Sequence, residues 1–390
     1  MRFRRRQLLV DLLFCWLLLP AHVLFASGKY VLPPPTGPYT VGRTSYYLVD
    51  RARTDPWGSQ PEHKREFMVE IWYPAEDHSA SPPAPWLPEE WVPLEANGLL
   101  GMQLGRSQDP AAKDIAGVLR SVVTHAREKA PTAKSPQRFP ILVFSPGNVM
   151  FPNEYSSVLE EMASQGYIVI ANVPTGFATA VAFPDGHIAR RNVKTDFALW
   201  VGDVTYMLDQ AARWNADREN MFFGRMDLDR IGMFGHSAGA NVTAMLIHAD
   251  RRIKAGLALD PGLLRVADAG GPFLLLNAEN ADYIRRHPND PDIAAMIQER
   301  KDFYRASNPG ILVTLSGTDH NSFTDMAVIK AFDHPGDGNA FIATTRAFVR
   351  EFFGEFPLGK RSNLIRRGSP KYPIATVEFS ASSDPSDAPH

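Results

Sequence analysis

Cysteine is almost absent: the one residue, Cys15, falls in an apolar stretch near the amino terminus. Without a second cysteine there is no intramolecular disulfide framework, and a thiolate zinc site lacks its ligands. An excess of one charge is missing as well, since 41 Lys and Arg stand against 43 Asp and Glu. A nucleic-acid binder carries a clustered basic excess, so the balance argues against that class. Past the amino terminus no apolar run is long enough to span a membrane, and no internal repeat is visible. What is present is a chain of 390 residues, 44% of them hydrophobic, enough for a sizeable core. Its 32 prolines point to stiff surface connections rather than a helical bundle.

The two ends read differently from the middle. Arg2, Arg4, Arg5 and Arg6 precede an uncharged run from Leu12 to Gly28 that closes on small residues. Residues 1–28 are therefore expected to be a secretory leader, giving a secreted or periplasmic protein once cleaved. The alternative is an uncleaved membrane anchor; Asp11 and Pro20 weaken the run for that use. Residues 380–390 are Ser, Pro, Asp and Ala without an apolar period, and a disordered tail is expected.

Between the ends, Phe67 to Tyr73 has strand composition. The stretch 76–134 then turns rich in Pro, Ser and acidic residues and reads as an insertion. Ile115, Val118, Leu119 and Val122 inside it recur at helical spacing, and the helix either covers the core or walls a binding site. From Pro140 onward short apolar runs alternate with amphipathic segments. The runs are Ile141–Phe144, Tyr167–Ala171, Ile231–Phe234, Gly256–Leu259, Pro272–Leu276 and Ile311–Leu315. Such alternation predicts an α/β domain over 31–367, with a mostly parallel central sheet and helices on both faces. Its chemistry belongs outside the carboxyl ends of the strands.

The segment Phe234-Gly235-His236-Ser237-Ala238-Gly239 carries the most information. A Gly-x-Ser-x-Gly string alone is a weak signal. Here an apolar strand runs into it and a helix-compatible segment leaves it, the setting of a sharp strand-to-helix turn with an exposed serine hydroxyl. Gly235 and Gly239 are needed where neighbouring backbone leaves no room for a Cβ. Ser237 is the expected nucleophile, and the amide of Ala238 starts a helix as an unpaired donor for an oxyanion. His236 is expected to pack or hydrogen-bond beneath the turn.

A serine needs a base within reach. His248 lies along the following helix, His287 and His334 sit in polar loops, and His390 is the terminus. His320 stands just past the carboxyl end of a late strand and is the expected base. Three places offer the acid: Asp260, ending the strand after the nucleophile helix; Glu279 or Asp282, after the next strand; and Asp319, whose side chain is expected to face solvent. Strand geometry favours Asp260 without excluding Glu279 or Asp282. A second oxyanion donor belongs to the loop after an earlier strand. In Ser145-Pro146-Gly147-Asn148, Pro146 has no amide hydrogen, which leaves the N–H of Asn148.

Taken together, these blocks resemble the plasma-type platelet-activating-factor acetylhydrolases, the lipoprotein-associated phospholipase A2 family, and especially their bacterial members. The likeness rests on Pro35 to Gly42, Met68 to Pro74, Ile141 to Asn148, Gly235 to Gly239, Leu257 to Asp260 and Gly317 to Asp325. It implies the α/β-hydrolase fold, with an acid at Asp260, a base at His320 and oxyanion amides at Asn148 and Ala238. One departure is visible: Pro146-Gly147 stands where the family often has His-Gly, which reshapes the pocket rim but keeps the amide. The stretch 76–134 shows little likeness, so the family's lipid-contacting surface is not carried over.

The expected activity is serine ester hydrolysis through an acyl-enzyme, with no metal or organic cofactor. The resemblance implies a phospholipid with a short sn-2 acyl chain, as in 1-alkyl-2-acetylglycerophosphocholine, and peripheral contact with lipid surfaces. A generic carboxylesterase is the alternative within the same chemistry. An amidase, or an inactive member of the fold that binds a ligand or partner, is the alternative outside it. Asn241-Val242-Thr243 matches a glycosylation acceptor but falls within the helix behind Ser237, where a glycan has no room. Arg190 and Arg191 read as a solvated charge pair as readily as a phosphate contact.

Overall fold

The structure is a computed structural model that describes residues 30–380 except 59, 61, 77–79, 193, 195, 263, 265, 280–286 and 288. The expected leader, and the tail beyond Ser380, lie outside the described residues.

The first strands are β1 (Tyr30–Val31), β2 (Thr40–Thr54), β3 (Lys64–Ala75), β4 (Pro83–Pro85), β5 (Val122–Glu128), β6 (Phe139–Ser145) and β7 (Ile168–Val173). They are followed by β8 (Ala180–Ala182), β9 (Ile188–Arg190), β10 (Met226–His236), β11 (Ile253–Leu259), β12 (Phe273–Ala278), β13 (Gly310–Leu315) and β14 (Ala375–Phe379). All but the β8–β9 hairpin join one sheet, ordered β1-β5-β2-β3-β7-β6-β10-β11-β12-β13-β14, with β4 beside β5. From β7 to β13 every neighbouring pair is parallel. β2 against β3, β3 against β7 and β13 against β14 are antiparallel.

The continuous apolar runs are explained by burial on both faces. Ile141 and Val143 of β6 enter one core while Leu142 and Phe144 enter the other; Ile168 and Ile170 of β7 part from Val169 and Ala171 in the same way. Successive strand side chains point to opposite faces, so a sheet covered twice needs apolar residues at every position.

The helices are α1 (Val92–Ala96), α2 (Leu99–Leu104), α3 (Ile115–Arg120), α4 (Ser156–Ser164), α5 (Phe197–Ala216), α6 (Ala238–Ala249), α7 (Pro291–Ala306), α8 (Gly338–Glu355) and α9 (Leu364–Arg367). One face of the sheet is covered by α4 and α8 through Val158, Leu159, Met162, Phe348 and Phe352. The other carries α5, α6 and α7 through Trp200, Val204, Val242, Leu246 and Phe303. Entry into α5 is set by Asp196, whose carboxylate accepts the amides of Ala198 and Leu199, a cap worth about 1 kcal/mol. This is the expected α/β-hydrolase fold. The chain leaves β6 toward β7 on one side and returns to β10 on the other, so the loops after β6 and β10 open a crevice between them.

Three local expectations are corrected. The stretch 76–134 is not wholly an excursion, because β5 pairs in parallel with β2 and so belongs to the sheet. Val122, counted into a helix by its spacing, instead begins β5; α3 stops at Arg120. The domain also runs beyond residue 367: β14 closes the far edge of the sheet, and Ser380 hydrogen-bonds Gly310. The rest of the inserted stretch is built into the core through Trp86, Trp91, Leu100 and Leu119. Trp91 stacks on Phe151 at 4.7 Å, just after the β6 loop, and Trp86 Nε1 donates to Asp325 at 2.9 Å, just after His320. The insertion thus walls the carboxyl end of the sheet. Among the described residues no helix is long and apolar enough to cross a membrane.

Candidate active site

Ser237 sits between β10 and α6 with φ 53° and ψ −116°, a conformation foreign to an L-residue unless its surroundings enforce it. Enforcement comes from close backbone contacts. A Cβ on Gly235 would lie 2.3 Å from the carbonyl oxygen of Gly239, and one on Gly239 would lie 2.1 Å from that of Ser145. Each distance is far inside van der Waals contact, so both positions require glycine. The second contact also locks the turn against the end of β6, where the Asn148 loop begins.

Neighbouring strand ends bring Asp260 alongside. His236 pairs with Leu259 in the β10–β11 register, and the amide of Ser237 donates to the Leu259 carbonyl at 3.0 Å. Asp260, with φ 37°, is anchored by its own amide to Leu276 on β12. Its carboxylate is buried and fully engaged. One oxygen, Oδ2, lies 2.6 Å from His320 Nδ1. The other, Oδ1, accepts from Ala278 N and Arg300 Nη1, each at 3.2 Å. Burial alone would raise this carboxyl, but the His320 hydrogen bond and the Arg300 charge outweigh it and hold it at about 2.

His320 opens a short 3-10 turn after β13, and its side chain is 47% exposed, open to a substrate. Asp319 does not reach the imidazole. Contrary to expectation it is not simply turned to solvent: it caps the turn through Asn321 N at 2.9 Å and binds His334 Nε2 at 2.9 Å. Glu279 is also occupied elsewhere, accepting from Gly317 N at 2.8 Å. Asp282 lies outside the described residues. His248 is half exposed beside Asp268. The Ser237 hydroxyl makes no hydrogen bond to His320 among the described residues, although the rings of His236 and His320 are 4.4 Å apart, centroid to centroid.

His236 is fully buried, and its imidazole links three loops. Nε2 lies 2.9 Å from the His320 carbonyl, and Nδ1 lies 2.8 Å from the Tyr155 hydroxyl. A carbonyl only accepts, so Nε2 carries the proton and Nδ1 accepts from Tyr155. Burial, followed by the neighbouring His320, lowers His236 to about 3, which keeps the ring neutral. Tyr155 in turn accepts the amide of Gly147 at 3.1 Å. Val149, at φ 66°, is pinned by Phe177 O and Thr179 Oγ1. Between these anchors the half-buried Asn148 keeps an amide with no acceptor among the described residues, as does Ala238 at the first position of α6.

Sequence reasoning passes over Tyr155, Val149 and Arg300. Tyr155 and Val149 carry no motif, while Arg300 belongs to α7, announced only by Asp290-Pro291 as cap and first residue. Among the described residues no group of His, Cys, Asp or Glu converges to hold a metal ion.

The family model described as platelet-activating factor acetylhydrolase, isoform II, matches residues 24–174. A probable 1-alkyl-2-acetylglycerophosphocholine esterase of Arthroderma benhamiae is 26% identical, over 93% of this chain and 97% of its own length. The platelet-activating factor acetylhydrolase of Cavia porcellus is 24% identical, over 78% of this chain and 71% of its own. Over most of its length the chain is thus similar to platelet-activating factor acetylhydrolases. The chain also superposes on a solved ferulic acid esterase from Streptomyces cinnamoneus. The TM-score is 0.69 with 27% identity, over 89% of this chain and 99% of that one.

Proposed function

We propose that this chain is a serine ester hydrolase that removes a short sn-2 acyl group from a phospholipid, as its acetylhydrolase relatives are named to do. Ser237 Oγ attacks the ester carbonyl carbon while His320 Nε2 takes the hydroxyl proton. The tetrahedral oxyanion is met by the amides of Asn148 and Ala238. The intermediate collapses, the carbon–oxygen bond to the glycerol breaks, and His320 returns the proton to the departing alkoxide. Water then repeats the sequence on the acyl-enzyme and frees the carboxylic acid. Asp260 keeps the proton of His320 on Nδ1 and balances the imidazolium.

The observation that carries this reading is the 2.6 Å contact between His320 and the buried, ionised Asp260, beside a serine in a strained strand-to-helix turn. The test is hydrolysis of a short-acyl phospholipid beside a nitrophenyl ester, with fluorophosphonate labelling mapped to Ser237. Labelling elsewhere, or full activity in Ser237→Ala, overturns it. A second reading, esterase action on small non-lipid esters, is favoured by the ferulic acid esterase likeness over almost the whole of that protein. It prevails if the nitrophenyl ester is cleaved and the phospholipid is not.

A further inference from the structure

Arg300 is a buried cation on α7, which packs against β12 and β13 on the face away from the insertion. Its Nη1 reaches Asp260 Oδ1 at 3.2 Å, and its Nη2 donates to the carbonyl of Pro261, the next residue. The guanidinium therefore grips both the side chain of the acid and the backbone just beyond it. With Ala278 N it occupies Oδ1, while Oδ2 is the oxygen that faces His320. In the bare arrangement of serine, base and acid, the second carboxylate oxygen needs only neutral donors. A full positive charge there is an addition with consequences of its own.

We infer that Arg300 is a positioning residue for the Ser237–His320–Asp260 line, fixing which carboxylate oxygen meets the imidazole and moderating how strongly that carboxylate draws the imidazole proton. This rests on the serine-hydrolase reading above. The direction of the electrostatic effect follows from the charges. Arg300 and the protonated His320 share one carboxylate, so the guanidinium opposes the imidazolium and favours its neutral, base-competent form. Among the described residues, the titratable groups facing Asp260 include His320 from the base loop, His236 from the strand end and Arg300 from α7. Glu279, Lys301 and Glu378 line a cavity together with Arg300. His236 stays neutral, whereas Arg300 is a permanent charge in contact with the acid.

Arg300→Gln removes the charge and keeps a donor; Arg300→Lys keeps the charge and loses the fork. In Arg300→Gln the acid limb of the kcat/KM profile should move up by about half to one pH unit, and the plateau should fall by about tenfold. In Arg300→Lys the limb should stay in place. A readout independent of turnover is the low-field proton resonance of His320 Nδ1–H, whose pH midpoint should move with the limb. A plateau that falls in Arg300→Gln with neither limb nor resonance displaced means a packing role alone and overturns the inference. If Arg300→Gln does not fold by circular dichroism, Arg300→Met gives the same charge removal with a comparable stem. A displaced resonance in a protein that cleaves no ester would sink the proposed function and leave this inference standing. An undisplaced one in an active enzyme does the reverse.

Discussion

Asp260→Asn is the substitution whose outcome the geometry fixes most tightly. Oδ1 of Asp260 faces two donors, Ala278 N and Arg300 Nη1, and the site is 1% exposed, so no solvent can rearrange to suit a changed group. An asparagine must therefore place its carbonyl oxygen at that corner, since an amide nitrogen there would meet two other donors. Its NH2 then points at His320 Nδ1, 2.6 Å away in the wild type. To accept that hydrogen the imidazole must carry its own proton on Nε2, and the lone pair needed by the serine is gone. Loss of the correct tautomer should lower kcat/KM on the order of 10³ to 10⁴-fold. That is about 4 to 5.5 kcal/mol of transition-state stabilisation. The fold should be retained at reduced stability: both buried donors keep an acceptor, but the buried Arg300 guanidinium loses the charge it contacts, a cost of about 3–5 kcal/mol. The assay is ester hydrolysis in parallel with the rate of fluorophosphonate labelling, and both should fall together. Nitrogen NMR on histidine-labelled protein should find the His320 proton moved from Nδ1 to Nε2. Activity within tenfold of wild type, or a proton still on Nδ1, refutes the reasoning.

Gly239→Ala should disable the site and lower stability by at least about 1–3 kcal/mol, since the added methyl overlaps Ser145 O and strains the core; a urea midpoint equal to wild type would contradict this. Asn148→Ala should retain most activity, because only its amide is used, while Asn148→Pro should lose about 10² to 10³-fold; equal losses in the two would remove Asn148 from the oxyanion site. Burial pushes Asp325 up to about 7 despite hydrogen bonds from Ser157 and Trp86. The native state therefore keeps a proton that the unfolded chain releases above about pH 4, and the stability tied to that proton is lost as pH rises from there to about 7. Asp325→Asn removes that slope, so its unfolding free energy should gain on wild type across the window by at most about 4 kcal/mol. A constant difference between pH 4 and 7 would show that Asp325 is ionised throughout.

Much of this architecture is legible in the chain because two-sided burial demands unbroken apolar strands. Ile141 to Phe144 and Leu274 to Leu276 could scarcely sit elsewhere than between two helical layers. The turn at Ser237 is legible because its glycines answer a steric need that no other residue meets. The contact between Asp260 and His320 is not local, and residue physics alone leaves Asp260 and Glu279 in competition. Three dimensions separate them, since Glu279 is consumed by the Gly317 amide. What stays hidden is hidden for particular reasons. β14 is a half-exposed edge strand of five residues, too short to establish a period. α7 is largely polar, its buried positions reduced to Ile293, Arg300, Phe303 and Tyr304, so its apolar stripe is broken by the very arginine that matters. Tyr155 lies in a 3-10 turn, where helical spacing gives no warning of its inward aim.

The path Gly147–Tyr155–His236–His320 has a bearing on how the protein ages and heats. Each member is the hydrogen-bond neighbour of the next, and none has water to fall back on until the exposed imidazole is reached. Loosening one loop therefore slackens the other two, and no half-assembled catalyst should accumulate on warming. Turnover and native fluorescence ought to vanish at one temperature, with no interval in which a folded but idle enzyme persists.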